Sequence, residues 1–232
     1  MTYFLVNPRF PDEFARVLAN YGEVLRVPEF TSLDFPVSAH PDMQAVNVCG
    51  RLFIHSENKA LASLLESAGI PFLCTSAHAG KLYPDDVALN LFTVKNFLFA
   101  NTKYSGREVL AFAEEHGISP TYVKQGYAKC SAMLLGDAVV TADKGIYLTA
   151  VLRGLDALLV SPGGVGIEKY GTGFIGGASG ALCPGKTAVF GSILSHPDGE
   201  KMLAFAEAHG EEIVSLGEGA LFDYGGIVKI DV

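Results

Sequence analysis

Residues 171–187 read GTGFIGGASGALCPGKT. Two phosphate-binding patterns overlap in this stretch: G-x-G-x-x-G at Gly171, Gly173 and Gly176, and G-x-x-x-x-G-K-T from Gly180 to Thr187. A phosphate loop of either kind needs a buried strand before it and a helix after it, so that the helix N-terminus faces the anion. Here GKT runs into the strand-like AVFGSIL, ASGALCPG opens no helix, and the preceding GIEKY is not a buried strand. The stretch therefore reads as a β-hairpin, with Lys186 beside the turn at the place that Arg51 and Asp137 take in two other hairpins. No nucleotide or other cofactor is expected.

The other hairpins belong to a repeat. VLAFAEEHG at 109–117 and MLAFAEAHG at 202–210 match at seven of nine positions. Apolar residues recur at three and four, and a glycine follows the last turn, as in an amphipathic helix with a glycine stop. The helix–glycine–strand unit occurs five times, with stopping glycines Gly22, Gly69, Gly117, Gly154 and Gly210, spaced 47, 48, 37 and 56 residues apart and 47 on average. Between the helices lie paired β-rich runs: AVNVCGRLFIH, VALNLFTVKNFLFAN, SAMLLGDAVVTA and LCPGKTAVFGSI. The unit is thus strand, turn, strand, helix, glycine, strand. The fifth copy is split between the first strand, YFLVN, and the last, GGIVKIDV. Pairing those two ends closes a ring without open edges between units. The expected fold is a five-bladed, pseudo-fivefold α/β propeller occupying residues 1–232 as a single domain.

Five strand–strand–helix–strand units in one chain resemble the pentein fold of the guanidine-modifying enzymes. That superfamily includes arginine deiminases, amidinotransferases, dimethylarginine hydrolases and a non-catalytic ribosome anti-association factor. GFIGGASGALCPGKTAVFGS is similar to the family's Gly-Gly-Asp segment running into a hairpin, with Ala178 and Ser179 where the guanidine-binding Asp would be. The family's His-Leu-Asp segment and late nucleophilic cysteine lie at the starts of first strands. Here those positions read AHPDM, YPDDV, AKCSA, GGASG and DYGGI, so the enzyme triad does not transfer. The resemblance implies a divergent branch of the fold.

Composition narrows the partners. The chain of 232 residues is 49% hydrophobic and 18% charged, as in a well-cored globular protein. Its net charge is −8 and it has no basic run, which argues against nucleic-acid binding through phosphates. No apolar run reaches membrane-spanning length, and MTYFLVNPRFPDEF has none of the marks of a leader, so a cytoplasmic location is expected. The four cysteines form no C-x-x-C pair.

The repeat also locates a site. Antiparallel pairing puts the end of each second strand beside the start of its first strand, so five copies gather both segments at one pole. That pole collects NPRF at 7–10, AHPD at 39–42, HSEN at 55–58, YPDD at 83–86 and NTKY at 101–104, with AKCS at 128–131, TADK at 141–144, GGAS at 176–179, SHPD at 195–198 and FDYGG at 222–226. Such convergence on a rigid scaffold favours ligand binding. Candidate substrate-binding residues are Asn7, Arg9, His40, Asp42, His55, Asp86, Ser179 and Asp223. Asp42, Asp86 and Asp223 recur at equivalent positions as an acidic mouth, with which Arg9 would pair unless it clamps a substrate carboxylate. Cys130 is the candidate nucleophile, with Asp143 placed across the hairpin from it. No ligand spacing among His40, Asp42 and His55 supports a metal, and none is expected.

The expected function is binding of a small cationic or amino-acid-like molecule in a polar axial pocket without the usual triad. One alternative is a Cys130-dependent hydrolase or transferase of a guanidino or amidino compound. Another is a non-enzymatic protein-interaction factor.

Overall fold

The computed structural model describes residues 1–232. The chain opens with β1 (Thr2–Val6), α1 (Asp12–Leu18) and β2 (Glu23–Arg26). A short helix, α2 (Pro41–Gln44), leads into β3 (Ala45–Val48), β4 (Arg51–His55), α3 (Lys59–Ser67) and β5 (Phe72–Thr75). Next come β6 (Phe92–Val94), β7 (Phe97–Ala100), α4 (Arg107–Glu115) and β8 (Ser119–Tyr122). They are followed by β9 (Ala132–Leu135), β10 (Ala138–Thr141), α5 (Lys144–Leu152) and β11 (Ala157–Leu159). The last units are β12 (Ser179–Cys183), β13 (Lys186–Val189), α6 (Gly199–Ala208), β14 (Glu212–Ser215) and β15 (Val228–Asp231).

These strands make five three-stranded sheets of one design: inner and middle strands antiparallel, middle and outer strands parallel, with the helix between the last two. The split fifth sheet is completed by β15 pairing antiparallel with β1, Thr2 opposite Asp231. The GKT stretch is the β12–β13 hairpin, turning at Gly185 with φ 79°. Lys186 pairs with Glu212 at 2.6 Å on the neighbouring strand and faces no helix N-terminus.

The helix stops share one chemistry. At Gly69, Gly117, Gly154 and Gly210 the backbone is left-handed, with φ between 68° and 76°. In each case the next residue's N–H reaches back into the last turn, as Ile118 N does to Ala113 O at 2.8 Å. This is the Schellman arrangement, which favours glycine because it lacks a Cβ. Gly22 departs from the expectation. Helix α1 ends at Leu18, and Gly22 has an ordinary φ. It is required instead by a close approach, since a Cβ there would lie 2.6 Å from the Thr2 carbonyl oxygen.

Ring closure is visible in the core, where five clusters are each shared by two adjacent sheets and a sixth, with Phe30, Met43 and Cys130, lies at the site pole. Leu5 and Val228 pack on Leu52 and α3, Val48 and Phe53 on Leu98 and α4, and Phe92 and Phe99 on Val139 and α5. Met133 and Val140 pack on Val189 and α6, and Leu182 and Phe190 meet Phe4 and α1. Strand alternation gives each sheet two apolar faces, and each helix fills the wedge between its own sheet and the one before it. The inner strands surround the axis. No helix is long and apolar enough to cross a membrane.

Candidate functional site

Around the axis, at the starts of the inner strands, lies a cavity of about 240 Å³ lined by His40, Asp86, Cys130 and Asp223 together with Tyr127, Tyr170 and Phe174. Each polar residue is set by the lead-in to a strand. His40 precedes α2, where the Asp42 N–H donates to Gly225 O at 3.2 Å. Gly225 is left-handed, with φ 82°, and the His40 side chain occupies the space a Cβ would need. Asp223 accepts from Gly225 N at 2.9 Å and from Phe174 N at 3.0 Å, fastening the 161–178 loop to the lead-in of β15. Asp86 accepts from the Tyr127 hydroxyl at 2.6 Å and keeps its other oxygen buried without a partner.

Cys130 and Asp42 form a buried pair. The thiol donates to Asp42 Oδ2 at 3.1 Å, and Asp42 Oδ1 has no partner. Burial pushes the Asp42 carboxyl up to about 7, although Lys129 and the thiol hydrogen bond pull it down. Burial, then the charges of Asp42 and Asp223, raise the Cys130 thiol well above its usual value. At neutral pH the sulfur therefore carries its proton. Burial also lowers His40, leaving a neutral ring 3.7 Å from Asp223, and it raises Asp86. Asp42 stands between two spaces: it also borders an axial channel of about 160 Å³ running towards the hairpin turns, with Lys129 and Ser179.

The expected residues divide into three groups. Cys130, His40, Asp86 and Asp223 share the cavity, with Asp42 directly behind the sulfur. Ser179 borders the channel on the other side of Asp42, and Asn7 and Arg9 line a side cavity of about 150 Å³ with His40 and Asp223. His55 and Asp143 lie elsewhere. His55 sits against the Phe30 ring at 5.6 Å with Nδ1 3.2 Å from Ala77 O. Asp143 makes no hydrogen bond to Cys130. Its Oδ1 caps α5 by accepting from Ile146 N at 2.8 Å, and its Oδ2 accepts from Gln125 at 3.2 Å. Nor does Arg9 pair with the aspartates, because Glu29 and Glu168 hold it at 2.7 Å each. No group of three His, Cys, Asp or Glu side chains is placed to hold a metal ion.

Asn90 is a central residue that sequence reasoning missed. Its Oδ1 accepts from Cys130 N at 3.1 Å, and its Nδ2 donates to Cys130 Sγ at 2.9 Å and to Asp42 O at 3.2 Å. Tyr127 and Phe174, whose rings stack 6.2 Å apart, were missed as well. Tyr127 lies within the same short lead-in as Cys130, which was a usable signal; nothing local marks Asn90 or Phe174.

Solved structures with this architecture include a dimethylarginine dimethylaminohydrolase variant carrying an S-methyl-L-thiocitrulline adduct, with 9% identity, TM-score 0.60 and 98% of each chain covered. The enzyme of that name from Pseudomonas aeruginosa, a cysteine-to-serine variant complexed with citrulline, shows 11% identity, TM-score 0.57 and the same coverage. The amidinotransferase SxtG of the saxitoxin pathway of Microseira wollei shows 12% identity and TM-score 0.51, over 92% of this chain and 87% of that one. No curated protein matches. The model of one family spans residues 5–228. The chain belongs to that family, the family of unknown function DUF6873, and its fold is that of the penteins.

Proposed function

We propose that this chain binds a small planar cation, carrying an amidinium or guanidinium group, in the axial cavity. Charge carries the reading: Asp86 and Asp223 line the cavity, Asp42 lies behind Cys130, and no Lys or Arg is among the lining residues. Buried carboxylates without counter-charge are costly, and a bound cation offsets that cost. It also offers donors to the unpartnered oxygen of Asp86. The rings of Tyr127, Tyr170 and Phe174 give flat faces to a delocalised cation. The names of the similar solved structures, a dimethylarginine hydrolase and an amidinotransferase, agree with this ligand class.

Binding without catalysis is the primary reading, because a cysteine nucleophile needs a thiolate and the surroundings of Cys130 oppose one. One observation favours a second reading, a Cys130-dependent hydrolase or transferase. Asp42 gains and loses its proton near neutrality and sits 3.1 Å from the sulfur, so it is placed to take the thiol proton as sulfur attacks an amidine carbon.

Calorimetric titration with benzamidine tests the first reading. Saturable binding, weakened about tenfold in Asp86→Asn by loss of a charge-assisted hydrogen bond, supports it. Absence of binding at millimolar ligand would end it. Labelling with chloroacetamidine decides the second. Benzamidine-protected modification of Cys130 would install the hydrolase, and reaction confined to the exposed Cys49 and Cys74 would remove it.

A further inference from the structure

Beside the axial cavity lies a second one, of about 160 Å³, and Thr172 and Phe174 line both. The chain passes between them at residues 130 and 131: Cys130 borders the first space and Ser131 the second. Gln125, Asp143, Ser161 and His196 complete the polar lining of the second cavity.

The chemistry of this lining is specific. Ser131 is 3% exposed, and its hydroxyl has no partner. His196 is buried, and its Nδ1 accepts from Asp198 N at 3.0 Å. With Nδ1 accepting, the ring proton is on Nε2, which makes that nitrogen a donor. Gln125 already donates to Asp143 at 3.2 Å and accepts from Tyr127 N at 3.1 Å. Ser131 and His196 thus present hydrogen-bonding groups beside one carboxylate, Asp143, and no Lys or Arg lines either cavity. Arg9, in the side cavity next to His40 and Asp223, is held by Glu29 and Glu168 and packs on the Phe35 ring at 4.5 Å. The second cavity itself therefore offers no basic side chain to a carboxylate of the ligand.

We infer that the ligand of the axial cavity carries, at the end away from its cation, a neutral tail with a hydroxyl or amide oxygen that enters the second cavity past Thr172 and Phe174, and that a carboxylate at that end is rejected. The inference rests on the cation-binding reading and deepens it. A neutral oxygen meets the Ser131 hydroxyl and the His196 Nε2 donor. A carboxylate is desolvated beside Asp143 without a counter-charge, which like-charge repulsion and burial both penalise. Selectivity of this kind rests on a repulsive element as much as on an attractive one. It sets amino-acid-like ligands, which carry such a carboxylate, outside the ligand class.

Three ligands with one cationic head separate the outcomes: benzamidine, para-amidinobenzamide and para-amidinobenzoate, titrated calorimetrically. The amide is expected to bind about tenfold or more tightly than the acid. Ser131→Ala should narrow the amide's advantage over benzamidine by about threefold to tenfold, the range of one neutral hydrogen bond. Asp143→Asn keeps a good helix cap and should raise the affinity of the acid. The inference is overturned, and the cation reading left standing, if the acid binds as tightly as the amide or if Ser131→Ala leaves the amide's advantage intact. Failure of all three ligands to bind overturns both.

Discussion

Two concentric rings of polar residues lie at the site pole, and they behave differently. The outer ring follows the ends of the middle strands and includes Asn58, Asp143 and Asp198. A helix begins at each of these points, and at two of them its free N–H groups claim the side chain. Asn58 accepts from Leu61 N at 3.1 Å and Asp143 from Ile146 N at 2.8 Å. Asp198 instead accepts from Ser161 N at 2.6 Å and pairs with Lys201. The inner ring, at the starts of the inner strands, has no long helix beneath it. There Asp42 and Asp86 each keep a buried oxygen without a partner. Asp42 and Asp86 thus keep an acceptor free for a ligand where Asn58 and Asp143 serve structure. Asp223, both of whose oxygens take backbone N–H groups, belongs to the inner ring by place and to the structural kind by its bonds.

The sharpest way to break this contrast is to crowd the inner ring. At Gly176 a methyl group would press into the carbonyl oxygens of Lys129, Cys130 and Ala132. Backbone atoms cannot step aside as a side chain can, so Gly176→Ala should cost at least about 4 kcal/mol and leave little folded protein. A denaturation midpoint close to wild type would mean that the ring is much looser than described.

The next effect depends on pH. The folded-state value of Asp42, about 7, is above its unfolded value, so the folded protein holds a proton that the unfolded chain releases from about pH 4 upward. The resulting loss of stability grows as pH rises to about 7 and then levels off. Asp42→Asn removes it. Relative to wild type, the variant should gain about 2–3 kcal/mol between pH 5 and pH 8. Urea denaturation at the two pH values measures the change, and a constant difference would contradict the burial assigned to this carboxyl.

Loss of an outer-ring cap away from both cavities should be milder and should spare the ligand. Asn58→Ala loses a cap and the buried hydrogen bond to Gln44 and should cost about 2–3 kcal/mol, less than Gly176→Ala, with benzamidine affinity retained. Loss of binding in that variant would erase the distinction between the rings. Smallest of all is Lys186→Ala, at the turn pole. Its exposed pair with Glu212 should leave the denaturation midpoint unmoved, whereas a phosphate loop would have made this lysine indispensable for nucleotide binding.

The blades were legible in the sequence because their marks are local: a glycine after each of four helices, and alternation on either side of tight turns. Gly22 shows the limit of that reading. A glycine at the right spacing is needed there for a close approach, which spacing alone cannot distinguish from a helix stop. The site was legible as a pole, and His40, Asp86, Cys130 and Asp223 do meet there. Which partners they take was not. Asn90 touches Asp42 and Cys130, 48 and 40 residues away, and such a contact leaves no trace at either end. Asp143 misled for a related reason, since the helix start that claims its carboxylate is one residue away.

The seam between β1 and β15 has a consequence for how the chain reaches this fold. Thr2 and Asp231, 229 positions apart, are bonded at 2.7 Å, and the Met1 amine meets the Val232 carbonyl. Every other inner–middle pair is a short hairpin, so this one carries the largest single loop-closure cost of the ring. Topologically the molecule is a circle cut at one point. Joining Val232 to Met1 and opening new ends at the Lys95–Asn96 turn would turn the most distant pairing into a local one. The same architecture would remain, assembled in a different order.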